Sequence, residues 1–353
     1  MDTDRYESVQ SRREVFYVGG EYSTITEGNT KTQCMIGQIY VEKLTPPDTI
    51  QQYPIIFIAG AGQTGTNFLE TPDGRPGWAH FFLAHGFTVY LTDQPSRGRS
   101  AWHPSIGSMG TMSTADVETF FTAVSSHNLW PQSKLHTQWP GTGKVGDPIF
   151  DAFFASQVQF QVDKLTAENQ NAKAYSALLD RIGEAYVVTH SQAGAYGWRI
   201  GDARPLLVKG LVALEPSGPP FEKRYPFQGQ KIAFGITDGE IGYEPSAGTN
   251  GEALQTNRVP AIDEDHYECI LQANPAKELK NLSKIPVLVV TSEASYHAPY
   301  DYNTVLFLQQ AGVSVEHLDL PRVGIKGNGH MFFMELNNLT IAEKVVQWLK
   351  QQH

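Results

Sequence analysis

Thr189-His190-Ser191-Gln192-Ala193-Gly194-Ala195-Tyr196-Gly197-Trp198 follows an apolar run at 185–188 and leads into a segment rich in small residues. A serine on a sharp turn between a strand and a helix needs small neighbours two positions to either side, because the backbone is strained there and passes close to adjoining strands. The usual spacing is Gly-x-Ser-x-Gly; here Thr189 and Ala193 hold the two outer places. The plainer reading of such a serine is a helix cap. Its context favours a nucleophile, since a buried strand precedes it and the helix N-terminus behind it would stabilise a developing negative charge.

Outward from Ser191, runs rich in β-branched and aromatic residues recur at 15–18, 38–41, 55–58, 87–91, 185–188, 210–214, 286–290 and 315–318. The first two are close and partly alternating, which predicts an antiparallel edge pair. The later runs are short, nearly all apolar and separated by helix-length segments, the pattern of parallel strands buried on both faces. A closing helix is expected from about residue 340 to 352. The fold class is therefore α/β: a mostly parallel eight-stranded sheet flanked by helices. Two gaps are too long for one crossover helix. They place insertions within 101–180 and 217–283 of a single domain spanning 1–353, covering the carboxyl ends of the strands where open α/β sheets bind ligands.

Past the last run, Gly324-Ile325-Lys326-Gly327-Asn328-Gly329-His330 delivers one histidine from a glycine-rich loop that is expected to be flexible. A base that follows the serine and lies near the C-terminus is the order this kind of site uses. His190, His266 and His297 are read as structural or pocket-lining. After the third strand, Ala59-Gly60-Ala61-Gly62 lets backbone approach a substrate oxygen, and the oxyanion donors are assigned to the N–H groups of Ala61 and Gln192. The acid is open at this point: Glu215 and Glu293 both stand at strand ends, the commoner arrangement favours Glu293, and Asp301 is a weaker rival.

Composition bounds the alternatives. The formal net charge is −10 and the charges are scattered, which argues against nucleic-acid or anionic-membrane partners and biases mildly against highly anionic substrates. Cys34 and Cys269 are too few for a disulfide framework and lack zinc-site spacing, so two free thiols are expected. Met1-Asp2-Thr3-Asp4-Arg5-Tyr6 opens polar and acidic, and with no apolar run of membrane-span length the chain reads as cytoplasmic. A homodimer is the base-rate expectation.

Three further segments carry a resemblance: 62–68 running into 71–78, Asp93-Gln94-Pro95-Ser96-Arg97-Gly98-Arg99-Ser100, and 129–132 with 136–141. With the serine turn they resemble the α/β-hydrolase superfamily, and more narrowly a bacterial and fungal esterase-like branch with a Ser-His-Glu triad. In a bacterial esterase of this branch the acid follows the sixth strand and stands twenty-four positions after the serine, the spacing of Glu215 from Ser191, so the resemblance prefers Glu215. The branch's His-Gly before the oxyanion loop is Ala59-Gly60 here.

The resemblance implies a serine hydrolase cleaving a small carboxylic ester or lactone, with Ser191, His330 and Glu215 catalytic and neither metal nor cofactor required. Trp102, Trp130, Trp139 and Phe221 are the aromatic candidates for the pocket wall. Rival readings keep the same triad for acyl transfer, lyase or cyclase chemistry, or keep the fold as a catalytically silent binding module. Dehalogenase and epoxide-hydrolase chemistry would want an aspartate in place of Ser191.

Overall fold

The computed structural model describes residues 6, 9–27 and 29–352; the polar opening at 1–5 lies outside them. Eight strands form one sheet: β1 (Arg12–Glu27), β2 (Thr30–Thr45), β3 (Ile55–Ile58), β4 (Val89–Asp93), β5 (Ala185–His190), β6 (Val208–Leu214), β7 (Val287–Thr291) and β8 (Val315–Asp319). Their order is β1-β2-β4-β3-β5-β6-β7-β8, with the first two antiparallel and the last six mutually parallel. Every residue of β3, β4, β5 and β7 is buried, which is why these strands read as apolar runs until the polar residues at the ends of β4, β5 and β7.

Alternate residues feed two cores. Ile55, Phe57, Tyr186, Val188, Val212, Leu214, Leu288 and Val290 pack on one face, against α1 (Trp78–Ala84) and α6 (Asn338–Leu349). Their neighbours Ile56, Ile58, Val187, Leu211, Ala213 and Val289 pack on the other, against α3 (Lys164–Ile182), α4 (Ala193–Ala203) and α5 (Asp301–Gln310). This is the period-two alternation of a pleated sheet covered on both sides.

The edge hairpin differs from its sequence signal. β1 and β2 each run for 16 residues rather than the few that look strand-like, because the residues nearest their turn are mostly solvent-exposed and carry no apolar pattern. Both long gaps are mostly irregular. Between β4 and β5 the chain makes a short ribbon (Met109–Gly110 with Phe160–Gln161), a π-turn at Glu118–Thr122 and α2 (Pro148–Ala155), then α3, which packs beside β1 and β2. Between β6 and β7 it makes two ribbons, Thr256–Val259 with Cys269–Gln272 and Tyr243–Glu244 with Glu278–Leu279.

The strand order reverses between β3 and β5, and residues 59–62 and Ser191 leave the sheet there. This is the position at which open α/β sheets form a binding crevice. Both cysteines are free, and no described helix is long and apolar enough to cross a membrane.

Candidate active site

β5 and β6 end in register at His190 and Leu214, so Ser191 and Glu215 are the next residues on each strand. Both have left-handed backbone, with φ of 54° and 43°. Each such residue costs about 1–3 kcal/mol unless its surroundings fix it, and here they do. Ser191 N–H donates to Leu214 O at 3.0 Å, Ser217 N–H donates to Ser191 O at 2.9 Å, and Glu215 N–H donates to Val290 O at 3.0 Å.

The missing glycines beside the serine are made up one turn later. A Cβ added to Gly194 would lie 2.4 Å from Pro216 Cβ, and one at Gly197 would lie 2.8 Å from Thr189 Cγ2. The close passage of α4 over the strand ends is therefore made by glycines after Ser191, and that leaves room for Thr189 before it.

His330 Nδ1 lies 2.6 Å from Glu215 Oε2, while Glu215 Oε1 accepts from Ser292 N–H at 2.8 Å and Ser292 Oγ–H at 2.6 Å. Burial, reinforced by His297, holds His330 well below the ordinary imidazole range, so it rests as a neutral base. Burial pushes the Glu215 carboxyl upward, against His297 and the donors of Ser292 and Ser295.

The histidine loop, expected to be flexible, is tied down on several sides. Gly327 N–H donates to Glu293 Oε2 at 2.7 Å, and Gly327 O accepts from Thr137 N–H at 2.9 Å and Gln138 N–H at 3.1 Å. The buried Glu335 carboxylate takes Gly329 N–H at 3.0 Å and Asn328 Nδ2 at 2.8 Å, with His136 Nε2 at 2.7 Å. Arg75 holds the main-chain carbonyls of Met334, Glu335 and Leu336. Two of the segments that carry the family resemblance thus converge on positioning His330.

The third does the same for the two residues expected to supply oxyanion donors. Arg97, only 2% exposed, donates through Nη1 to Gly60 O at 2.6 Å and through Nη2 to Gln192 Oε1. A peptide is planar, so fixing the Gly60 carbonyl fixes the Ala61 N–H on its opposite side. One guanidinium therefore orients the peptide of one predicted oxyanion donor and grips the side chain of the other. Burial lowers its pKa, with Tyr196 and Tyr175 opposing.

Ala61, Ser191 and Gln192 share the wall of a cavity of about 330 Å³. None of Trp102, Trp130, Trp139 and Phe221 lines it; Met112, Phe120, Phe121, Phe160, Phe227 and Tyr296 do. Trp102 is 43% exposed on the surface, Trp130 sits one layer back against Tyr296, Trp139 packs on Phe153, and Phe221 packs on Phe307.

Glu293 and Asp301, the rival acids, are otherwise engaged: Glu293 with Gly327, and Asp301 with His297 Nδ1 at 2.8 Å. His297 stacks on His330 with ring centroids 4.8 Å apart, and burial lowers it to about 4. His190 Nε2 meets the His330 carbonyl at 3.0 Å, whereas His266 pairs with Asp263 away from this cluster. Ligand atoms of Glu215, His297 and His330 come within 4.8 Å of one another, but the Glu215–His330 separation is that of a hydrogen bond.

Sequence reasoning missed Tyr296. Its hydroxyl is 3.2 Å from His330 Nε2 and also interacts with the Ser191 side chain, and burial keeps it protonated. The only sequence signal is its place in the loop after β7, beside Glu293.

Residues 55–343 match the alpha/beta hydrolase family. The chain belongs to that family. Over 337 residues this hydrolase-family chain is 64% identical to a protein of Fungal sp. (strain ATCC 74256) named probable secreted lipase phiG, a match covering 96% of this chain and 89% of the relative. Among solved structures it is similar to one described as a novel bacterial esterase, at 22% identity and a TM-score of 0.62, over 98% of this chain and 97% of that one. The likeness to the esterase is one of fold.

The fungal relative overturns the cytoplasmic expectation, since it is named as secreted. That expectation rested on the polar stretch at 1–6 and on the absence of an apolar run of membrane-span length, and neither reports the compartment in which a folded domain works. A domain of this size buries enough apolar surface to be stable without disulfides in any compartment.

Proposed function

We propose that this protein is a carboxylic ester hydrolase that cleaves a small ester or lactone through an acyl-enzyme on Ser191. The observation that carries the reading is the 2.6 Å contact between His330 Nδ1 and Glu215, placed one residue past the paired ends of β5 and β6 where Ser191 emerges. The names of the relatives agree with it.

In this mechanism Glu215 holds the imidazole with its proton on Nδ1 and stabilises the charged form once Nε2 has taken the Ser191 proton. Nε2 faces the Tyr296 hydroxyl at rest, and nucleophile–base contacts commonly tighten when substrate enters. Ser191 Oγ attacks the carbonyl, and the Ala61 and Gln192 N–H groups receive the oxyanion. His330 returns the proton to the departing alcohol oxygen. Water then attacks the acyl-enzyme with His330 again as base, releasing the acid and restoring Ser191.

The test is incubation with short-chain chromogenic esters and a fluorophosphonate, with identification of the products. The expected result is free acid and alcohol, phosphonylation at Ser191, and loss of both reactions in Ser191→Ala. Transfer of the acyl group to an added alcohol without release of acid would move the assignment to acyl transfer. Ester turnover that survives Ser191→Ala would end it.

A further inference from the structure

The cavity over Ser191 is not uniformly apolar. Lys223, Lys164 and Ser217 line it as well. Lys223 Nζ donates to Ser217 Oγ at 2.7 Å and lies 5.5 Å from the centroid of the Phe227 ring. Among the described residues neither Lys223 nor Lys164 forms an ion pair with a carboxylate. Lys164 Nζ is engaged by the neutral Gln230 amide.

The acids acting on Lys223 from neighbouring elements are Asp238 and Glu168, and the oxygens of Glu168 already accept the Asp238 and Gly239 N–H groups at 3.0 and 2.7 Å. Asp116, on the cavity wall, caps its own short helix through Ser113. Burial, with Lys164 acting the same way, lowers the Lys223 amine to about 8, which leaves it mostly charged at neutral pH. A desolvated ammonium is costly unless a counter-charge meets it. This one opens onto the space in which substrate would sit.

The chain ties it to the strand end that carries Ser191 through Ser217. Ser217, the anchor of Lys223, is the residue whose N–H donates to the Ser191 carbonyl at 2.9 Å, and it follows Glu215 by two positions. Ser191, Ser217 and Lys223 line the same cavity of about 330 Å³, so a negative group held by Lys223 shares that confined space with the nucleophile.

We infer that Lys223, with Ser217 beside it and Lys164 as an outer cation, forms a carboxylate-binding subsite, so that the ester or lactone this site cleaves carries a free carboxylate on a short acyl chain. The inference rests on the ester-hydrolase reading for its reacting centre. It sets local charge against the overall acidity of the chain, which by itself would disfavour an anionic substrate.

The experiment pairs turnover with binding. Wild type, Lys223→Met and Lys223→Arg are assayed on mono-p-nitrophenyl glutarate and on its neutral analogue p-nitrophenyl pentanoate, and glutarate binding is measured by calorimetry. Because charge-assisted contacts are stronger than neutral ones, wild type should favour the acidic ester in kcat/KM by about 10- to 100-fold. Lys223→Met should collapse that ratio toward one and weaken glutarate by a similar factor, whereas Lys223→Arg should keep most of both. A ratio on one enzyme cancels any general loss of activity.

Equal or reversed preference in wild type, with the neutral ester cleaved, overturns the subsite and leaves the hydrolase standing. Glutarate binding that depends on the charge at 223, without turnover of either ester, supports the subsite and removes the hydrolase. Glutarate binding indifferent to Lys223→Met overturns the subsite whatever the turnover.

Discussion

Ser191 and Glu215 stand side by side on neighbouring parallel strands, each one residue beyond the last paired position and each in left-handed backbone. Ser217 N–H closes the pair by donating to Ser191 O at 2.9 Å. The spacing between serine and acid is thus a topological quantity. It is the length of one helix and one strand, the return needed to bring the chain back beside itself. An acid at Glu293, one strand further out, would have to reach His330 from a loop that instead holds Gly327.

The turn at Ser191 predicts a coupling between Thr189 and Gly197. Alanine in a helix interior normally gains about 1 kcal/mol over glycine, but Gly197→Ala places a Cβ 2.8 Å from Thr189 Cγ2 and 3.2 Å from Leu211 Cδ1. Overpacking of that kind costs about 1–3 kcal/mol. Chemical denaturation should show Gly197→Ala destabilised, and Thr189→Ala should offset most of that loss in the double variant. Additive single effects would show that Thr189 is accommodated in some other way.

Arg97 predicts an effect on rate. Its two arms hold the Gly60 carbonyl and the Gln192 side chain, and hydrogen bonds to a charged group are worth about 1.5–3 kcal/mol. Arg97→Met should lower kcat/KM on a neutral ester by about 10- to 100-fold. It should weaken a boronic acid, which mimics the tetrahedral adduct, in proportion. Arg97→Lys should not restore either, because one ammonium cannot span both acceptors. Unchanged kinetics in Arg97→Met would detach the buried guanidinium from the oxyanion site.

The burial of His330 fixes the sign of the pH dependence. The proposed reaction needs the neutral imidazole, and burial followed by His297 depresses its pKa below the ordinary value of 6.5. Activity should therefore be flat through neutral pH and fall on the acid side, about tenfold per unit, with a midpoint below 6.5. A kcat/KM profile with its acid midpoint at or above 6.5 would contradict the buried geometry.

Much of this was legible in the sequence because burial on both faces writes itself plainly: β3, β5 and β7 are apolar at nearly every position. The proposed serine, histidine and oxyanion donors are read from order and local spacing. The length of the β1–β2 hairpin was hidden, since its exposed part has no apolar rhythm. So were contacts between distant segments, such as Arg97 with Gln192, Tyr296 with His330, and Lys223 facing the cavity. The tryptophans misled as pocket residues because large rings also serve to seal a layer behind a site, as Trp130 does behind Tyr296.

Which carboxylate serves His330 decides the triad, and Glu215→Gln set against Glu293→Gln tests that most directly. Turnover of a chromogenic ester and the rate of Ser191 phosphonylation are measured on both. Removing the acid of a serine triad costs about 10⁴ in kcat, so Glu215→Gln should lose about three to four orders of magnitude in both rates. Glu293→Gln, which only loosens Gly327, should lose about tenfold or less. Near-normal rates in Glu215→Gln with collapse in Glu293→Gln would contradict the triad described here.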